Sequence, residues 1–118
     1  MLFSVVNRDP RRRRILTNSL LSLYPGCIVY ELEELLDLVS CLREHAVEAV
    51  IWELADNDSQ DLSHLHRIRV QHPEILFLVC AEDDTLLDEA MWNGASKYFI
   101  NPLLPEQIAE AMDTRKKA

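Results

Sequence analysis

Ala49-Val50-Ile51-Trp52-Glu53-Leu54 has the apolar, β-branched content of a strand but lacks the alternation of a strand with one wet face. A strand apolar on both sides must be covered on both sides, which points to a parallel sheet held between two layers of helices. Residues 74–80, EILFLVC, are the most apolar run in the chain, so a central strand is expected there. Outward from these two, extended and helical patterns alternate. LFSVV (2–6) reads as the first strand; it stops at Asn7-Arg8-Asp9-Pro10, where Asp9 suits a helix cap and Pro10 the first turn. The first helix should cover the sheet with Ile15, Leu16, Leu20 and Leu23 and end at Tyr24-Pro25-Gly26. CIVYEL (27–32) is the second strand, followed by a helix over residues 33–45 with Leu35, Leu36, Val39 and Leu42 inward. A third helix over 61–71 carries Leu62, Leu65 and Ile68 and ends before His72-Pro73. Leu86, Leu87, Ala90 and Met91 mark a fourth, closed by Asn93-Gly94. KYFI (97–100) is the fifth strand, and a last helix runs from Pro105 to about residue 115 with Ile108, Ala109 and Met112 buried. The result is an α/β, doubly wound (βα)5 domain, because short connections between parallel strands need a helical crossover.

The composition agrees. A chain of 118 residues with 48% hydrophobic side chains supports one domain, residues 1–118, with a linker expected to start at 115–118. Two glycines leave no glycine-loop nucleotide site, and no apolar run approaches the roughly 20 residues of a membrane helix. Charges follow rather than precede the apolar start, the reverse of a secretory signal, so a soluble cytoplasmic protein is expected. Cys27, Cys41 and Cys80 are odd in number and widely spaced, which indicates buried thiols rather than disulfides or zinc. A net charge of -8 argues against direct nucleic-acid binding.

In open parallel sheets ligands gather at the carboxyl ends of the strands. That edge here collects Asn7, Arg8 and Asp9, residues 53–58, residues 80–84, and Asn101-Pro102. NRDP after the first strand, an acid ending the third, Cys80-Ala81 after the fourth, and GASKYFINP (94–102) together resemble the CheY-like receiver domains of bacterial response regulators. The resemblance spans nearly the whole chain and implies a flavodoxin-like sheet in the order 2-1-3-4-5.

Receivers of this type carry an acidic pair that holds Mg²⁺, a phosphoryl-accepting Asp, a Ser or Thr, and a Lys before the last Pro. By the resemblance those positions fall on Asn7 and Arg8, Glu53, Cys80 and Asn101, a departure at each one. Mg²⁺ needs hard oxygen ligands, and Arg8 puts a permanent cation beside the place of the most direct one. No magnesium, other metal or cofactor is therefore expected, and no catalysis. Charge on a transferring phosphoryl group would lack its stabilisers, and Glu53 is a methylene too long for an acceptor oxygen placed for in-line attack. An ion pair between Arg8 and Glu53, flanked by Asn7 and Asn101, is expected to hold the degenerate pocket together, giving Glu53 the reach to imitate a phosphorylated Asp; the plainer account leaves Glu53 in solvent.

Other features have simpler readings. Arg11 to Arg14 cover every direction of a helix and read as its solvated start; His64 and His66, two apart, cannot form a helical metal pair. Trp52 is expected to pack between sheet and helix. Trp92 falls off the buried stripe of its helix and, with Tyr98, is expected at a dimer or partner face. The sequence thus reads as a degenerate receiver domain acting in signal transduction and transcription regulation through a homodimer or an output protein. Two alternatives stand beside it: a phosphorylatable receiver using Asp56, Asp58 or Glu53, and a thiol enzyme built on Cys80.

Overall fold

The computed structural model describes residues 1–55 and 59–117. Its elements follow the order β1 (Leu2–Val6), α1 (Pro10–Leu23), β2 (Ile28–Leu32), α2 (Leu35–Glu44), β3 (Ala49–Glu53), α3 (Ser59–Gln71), β4 (Leu76–Ala81), α4 (Leu87–Trp92), β5 (Lys97–Ile100) and α5 (Pro105–Lys117). The five strands form one parallel sheet in the order β2-β1-β3-β4-β5. β3 and β4 lie inside the sheet, as their two-sided apolarity requires. This is the CheY-like, flavodoxin-type fold expected from the sequence.

Strand alternation sorts the core into two layers. Phe3, Val5, Ile51, Leu78 and Cys80 face α1 and α5, where they meet Leu16, Leu20, Ile108 and Met112. Val6, Val50, Trp52 and Val79 face the other way, toward Leu38 and Leu42 of α2, Leu62 and Leu65 of α3, and Ala90 of α4. Trp52 is packing, only 3% exposed. No helix among the described residues is long and apolar enough to cross a membrane.

Three side chains expected inward are exposed: Ile15, Leu36 and Met91. Each immediately precedes or follows a better-placed neighbour, Leu16, Leu35 and Ala90, and consecutive helical residues point about 100° apart. One of each pair takes the centre of the stripe and the other is left on its shoulder. The buried face of α2 instead uses Leu35, Leu38, Cys41 and Leu42.

Candidate functional site

The carboxyl edge of the sheet is assembled by register. Asn7 follows β1 in the parity of Phe3 and Val5, so its side chain turns to the α1 side and is almost wholly buried. Its two ends have separate tasks. Oδ1 accepts the Asp9 backbone N–H at 2.9 Å, tightening the turn into α1, while Nδ2 donates to Glu53 Oε2 at 2.9 Å. Asp9 then caps the helix by accepting the Arg11 N–H at 2.9 Å. Arg13 ties the same corner from the helix side, donating through Nη1 to the Asn7 carbonyl at 2.7 Å.

Glu53 ends β3 with its side chain only 11% exposed. The cation that meets it, among the described residues, is Arg12, with Nε 3.4 Å from Oε1. This corrects the expected pairing with Arg8, which lies at the surface. The reason is helix geometry. Side chains lean toward the N-terminus of their helix, so a residue in the first turn of α1 projects back over the strand ends, whereas Arg8 belongs to the turn before it. Arg12 Nη1 also meets Glu82 Oε1 at 2.9 Å, and Asn101 Nδ2 donates to that same oxygen at 3.3 Å. The guanidinium therefore bridges carboxylates from β3 and from the β4–α4 turn.

The arrangement brings Asn7 and Glu53 into direct contact, places Cys80 opposite Glu53 in the β3–β4 register, and joins Asn101 through Glu82. Sequence reasoning missed Arg12, and it placed Glu82 at this edge only as one acid among those of its turn. The signal for Arg12 was present as a cost: arginines in a first helical turn oppose the helix dipole, which asks for nearby carboxylates. Arg13 and Arg14 meet that need on β2, at 3.6 and 3.2 Å from Glu31. Asp56 and Asp58, the alternative acceptors, lie outside the described residues.

Burial raises the Glu53 carboxyl above its ordinary value, with Arg12 and the Asn7 hydrogen bond pulling it part of the way back. A raised acid binds its proton more tightly in the folded than in the unfolded chain. Stability should accordingly fall as pH climbs from the ordinary 4.5 through the higher folded value. Glu53→Gln cannot ionise and should gain on the parent protein across that window. Urea melts of both proteins in mild acid and at neutrality check this; a difference that does not change with pH would show that Glu53 titrates as if in water.

Cys80 is fully buried inside β4, its Sγ 3.8 Å from the Trp52 carbonyl. Burial first, and the charge of Glu53 second, push its thiol up to about 12. It stays protonated at neutral pH and offers no thiolate nucleophile. Cys27 and Cys41 are buried too.

The described residues do not fit Mg²⁺. An octahedral dication asks for one or two free carboxylates near the strand ends. Here Glu53 and Glu82 are occupied by one guanidinium, and the two positions after β1 hold an amide and a cation. Between Arg12, Glu53, Asn101 and Pro102 a cavity of about 120 Å³ remains.

Of the two expected interface side chains, Trp92 is 87% exposed at the end of α4. Tyr98 is half-buried, and its hydroxyl donates to the Asp83 carbonyl at 2.7 Å. It fastens β5 to the β4–α4 turn.

No protein-family profile matches the sequence, and no curated protein matches it. Solved structures do. The chain is similar to a response regulator from Thermotoga maritima, at 18% identity, with 99% of this chain and 98% of that chain covered and a TM-score of 0.81. It is similar to an atypical orphan response regulator described as having a phosphorylation-independent regulatory mechanism, at 19% identity, 99% and 96% coverage, and a TM-score of 0.80. It is also similar to a putative pilus assembly-related protein from Burkholderia pseudomallei, at 18% identity, 99% and 90% coverage, and a TM-score of 0.86. At these identities the likeness establishes the receiver fold.

Proposed function

We propose that this receiver fold is a signalling module that acts by binding, to a second copy or to an output protein, without phosphoryl transfer. The observation that carries the reading is Arg12, whose guanidinium lies between Glu53 and Glu82 where phosphoryl chemistry would need a metal and open carboxylate oxygens. A covalently attached cation, half-exposed at the mouth of the pocket, takes the electrostatic place of a dication. The pocket is then set in one state by covalent structure, and the message passes through surface shape and charge. The likeness to an atypical regulator described as phosphorylation-independent supports the same reading. Trp92, exposed at the end of α4, marks the face offered for contact, since large exposed aromatics concentrate binding energy.

Incubating the protein with acetyl phosphate and Mg²⁺, and separately with beryllofluoride and Mg²⁺, tests this directly. Intact mass should be unchanged, and amide resonances around Asn7, Glu53 and Asn101 should not move. A Mg²⁺-dependent acyl phosphate on Glu53, Asp56 or Asp58 would replace the proposal with a working phosphoreceiver.

A further inference from the structure

Resting on the self-association arm of that proposal, a second feature of the surface identifies which parts of two copies would meet. Between α2 and α3 lies a groove of about 460 Å³. Leu36, Val39 and Ile68 line its apolar part, with Leu36 75% exposed. Arg43 and Arg67 stand among its polar lining residues, and among the described residues no carboxylate belongs to that lining. In a chain with 20 acidic and 12 basic side chains, a described lining with cations and no acids is against the average. Neither arginine takes part in an ion pair among the described residues, whereas Arg12, Arg13 and Arg14 all do. The groove is therefore an apolar trough with two uncommitted guanidinium groups.

Its complement is on the same molecule. In α4, Asp88 and Glu89 precede Trp92 by four and three residues, so two carboxylates and the most exposed large apolar side chain share one helical face. Met91 beside it is 43% exposed, and Glu82, Asp83 and Asp84 lead into the helix. An indole flanked by acids matches a trough flanked by arginines in both shape class and sign. An aromatic ring of this kind brings about 150–250 Å² to a contact, too little alone for a specific interface of about 1,200 Å² or more. The layering doubles that contact and brings the flanking surfaces of the helices into it. α2, α3 and α4 cover the same face of the sheet, so a two-fold axis between copies lets each α4 enter the other's groove at once.

We infer that the chain forms a reciprocal dimer in which Trp92 of each copy, with Asp88 and Glu89, seats in the α2–α3 groove of the other against Arg43 and Arg67. Charge reversal tests this without touching the core, because all four charged residues are exposed. Arg43→Glu with Arg67→Glu makes an acidic groove, and Asp88→Lys with Glu89→Lys makes a basic knob. Sedimentation of the unaltered chain should show a monomer–dimer equilibrium. Each double variant alone should weaken dimerisation at least tenfold, since like charges then face each other twice. A one-to-one mixture should restore the dimer, since each altered surface then meets its opposite, and a misfolded variant would not be rescued.

The outcomes separate. Self-association that survives Arg43→Glu with Arg67→Glu, or a mixture that stays monomeric, overturns the groove assignment while leaving phosphorylation-independent binding intact. A chain that is monomeric throughout excludes a second copy as the occupant and leaves only a different partner for the module. An acyl phosphate in the earlier assay would fell the proposed function whatever the dimer does.

Discussion

Gly94→Ala should destabilise the protein by about 3 kcal/mol, a fall of roughly 10 °C in melting temperature for a domain of this size. Two causes add. Gly94 has φ +109°, a conformation that an L side chain adopts only under strain, and the new Cβ would lie 2.7 Å from Arg69 Cγ and 3.1 Å from its Cβ. Those atoms are the base of the side chain, and its far end is anchored. The guanidinium donates to the Ile75 carbonyl and lies over the Phe77 ring, 5.6 Å from its centroid. Arg69 cannot step aside without giving up both. Gly26 supplies the control: its φ is +86°, yet nothing lies within 4 Å of its missing Cβ. Gly26→Ala should show only the backbone part, about 1–2 kcal/mol. Thermal melts of the two variants side by side decide the matter, and equal losses would mean that the Arg69 contact carries no weight.

Asn7→Asp is the second large effect, and it acts through charge. The substitution leaves an oxygen to accept the Asp9 N–H, so the turn into α1 keeps its hydrogen bond. It also places a second carboxylate where Nδ2 now stands, 2.9 Å from Glu53 Oε2 in a nearly buried corner. Two carboxylates that close hold one proton between them, and the pair's second ionisation moves well up. In acid the shared proton bridges the oxygens and stability should approach that of the parent. As pH rises through that shifted ionisation the folded state alone must hold two adjacent charges, and about 3 kcal/mol should be lost by neutrality. Urea melts across the pH range measure it. Added Mg²⁺ should not recover the loss while Arg12 is in place; recovery by millimolar magnesium would show that the guanidinium does not guard the pocket.

The fold was readable because two of its three inner strands, β3 and β4, carry the information twice. AVIWE and LFLVCA have no polar side, and that alone demands helices above and below a parallel sheet. Turn chemistry then set the punctuation: Asp9-Pro10 opens α1, and Asn93-Gly94 closes α4. What a linear reading misjudged were the shoulders of helices. Ile15 and Leu36 are as apolar as their buried neighbours, and only the packed structure shows which member of each pair the sheet has room for. The pocket was legible in its strand-borne members, Asn7, Glu53 and Cys80, since register follows from strand pairing. It was misjudged for the arginine, because Arg8 is nearer in sequence while Arg12 is nearer in space. Glu82 was hidden for a similar reason: it belongs to an acidic turn whose members are equivalent until one of them meets a partner.

The chain's whole complement of glycine is two residues, Gly26 and Gly94, and both stand between a helix and the strand after it. In a parallel sheet those joints lie on the rim opposite Glu53. Among the described residues, the connections on the pocket's own rim after β1, β4 and β5 are made without glycine, with Pro10 and Pro102 narrowing the backbone choice further. A partner docking on those three turns meets a contour with few alternative backbone states, so more of the ordering entropy of recognition falls on the guest.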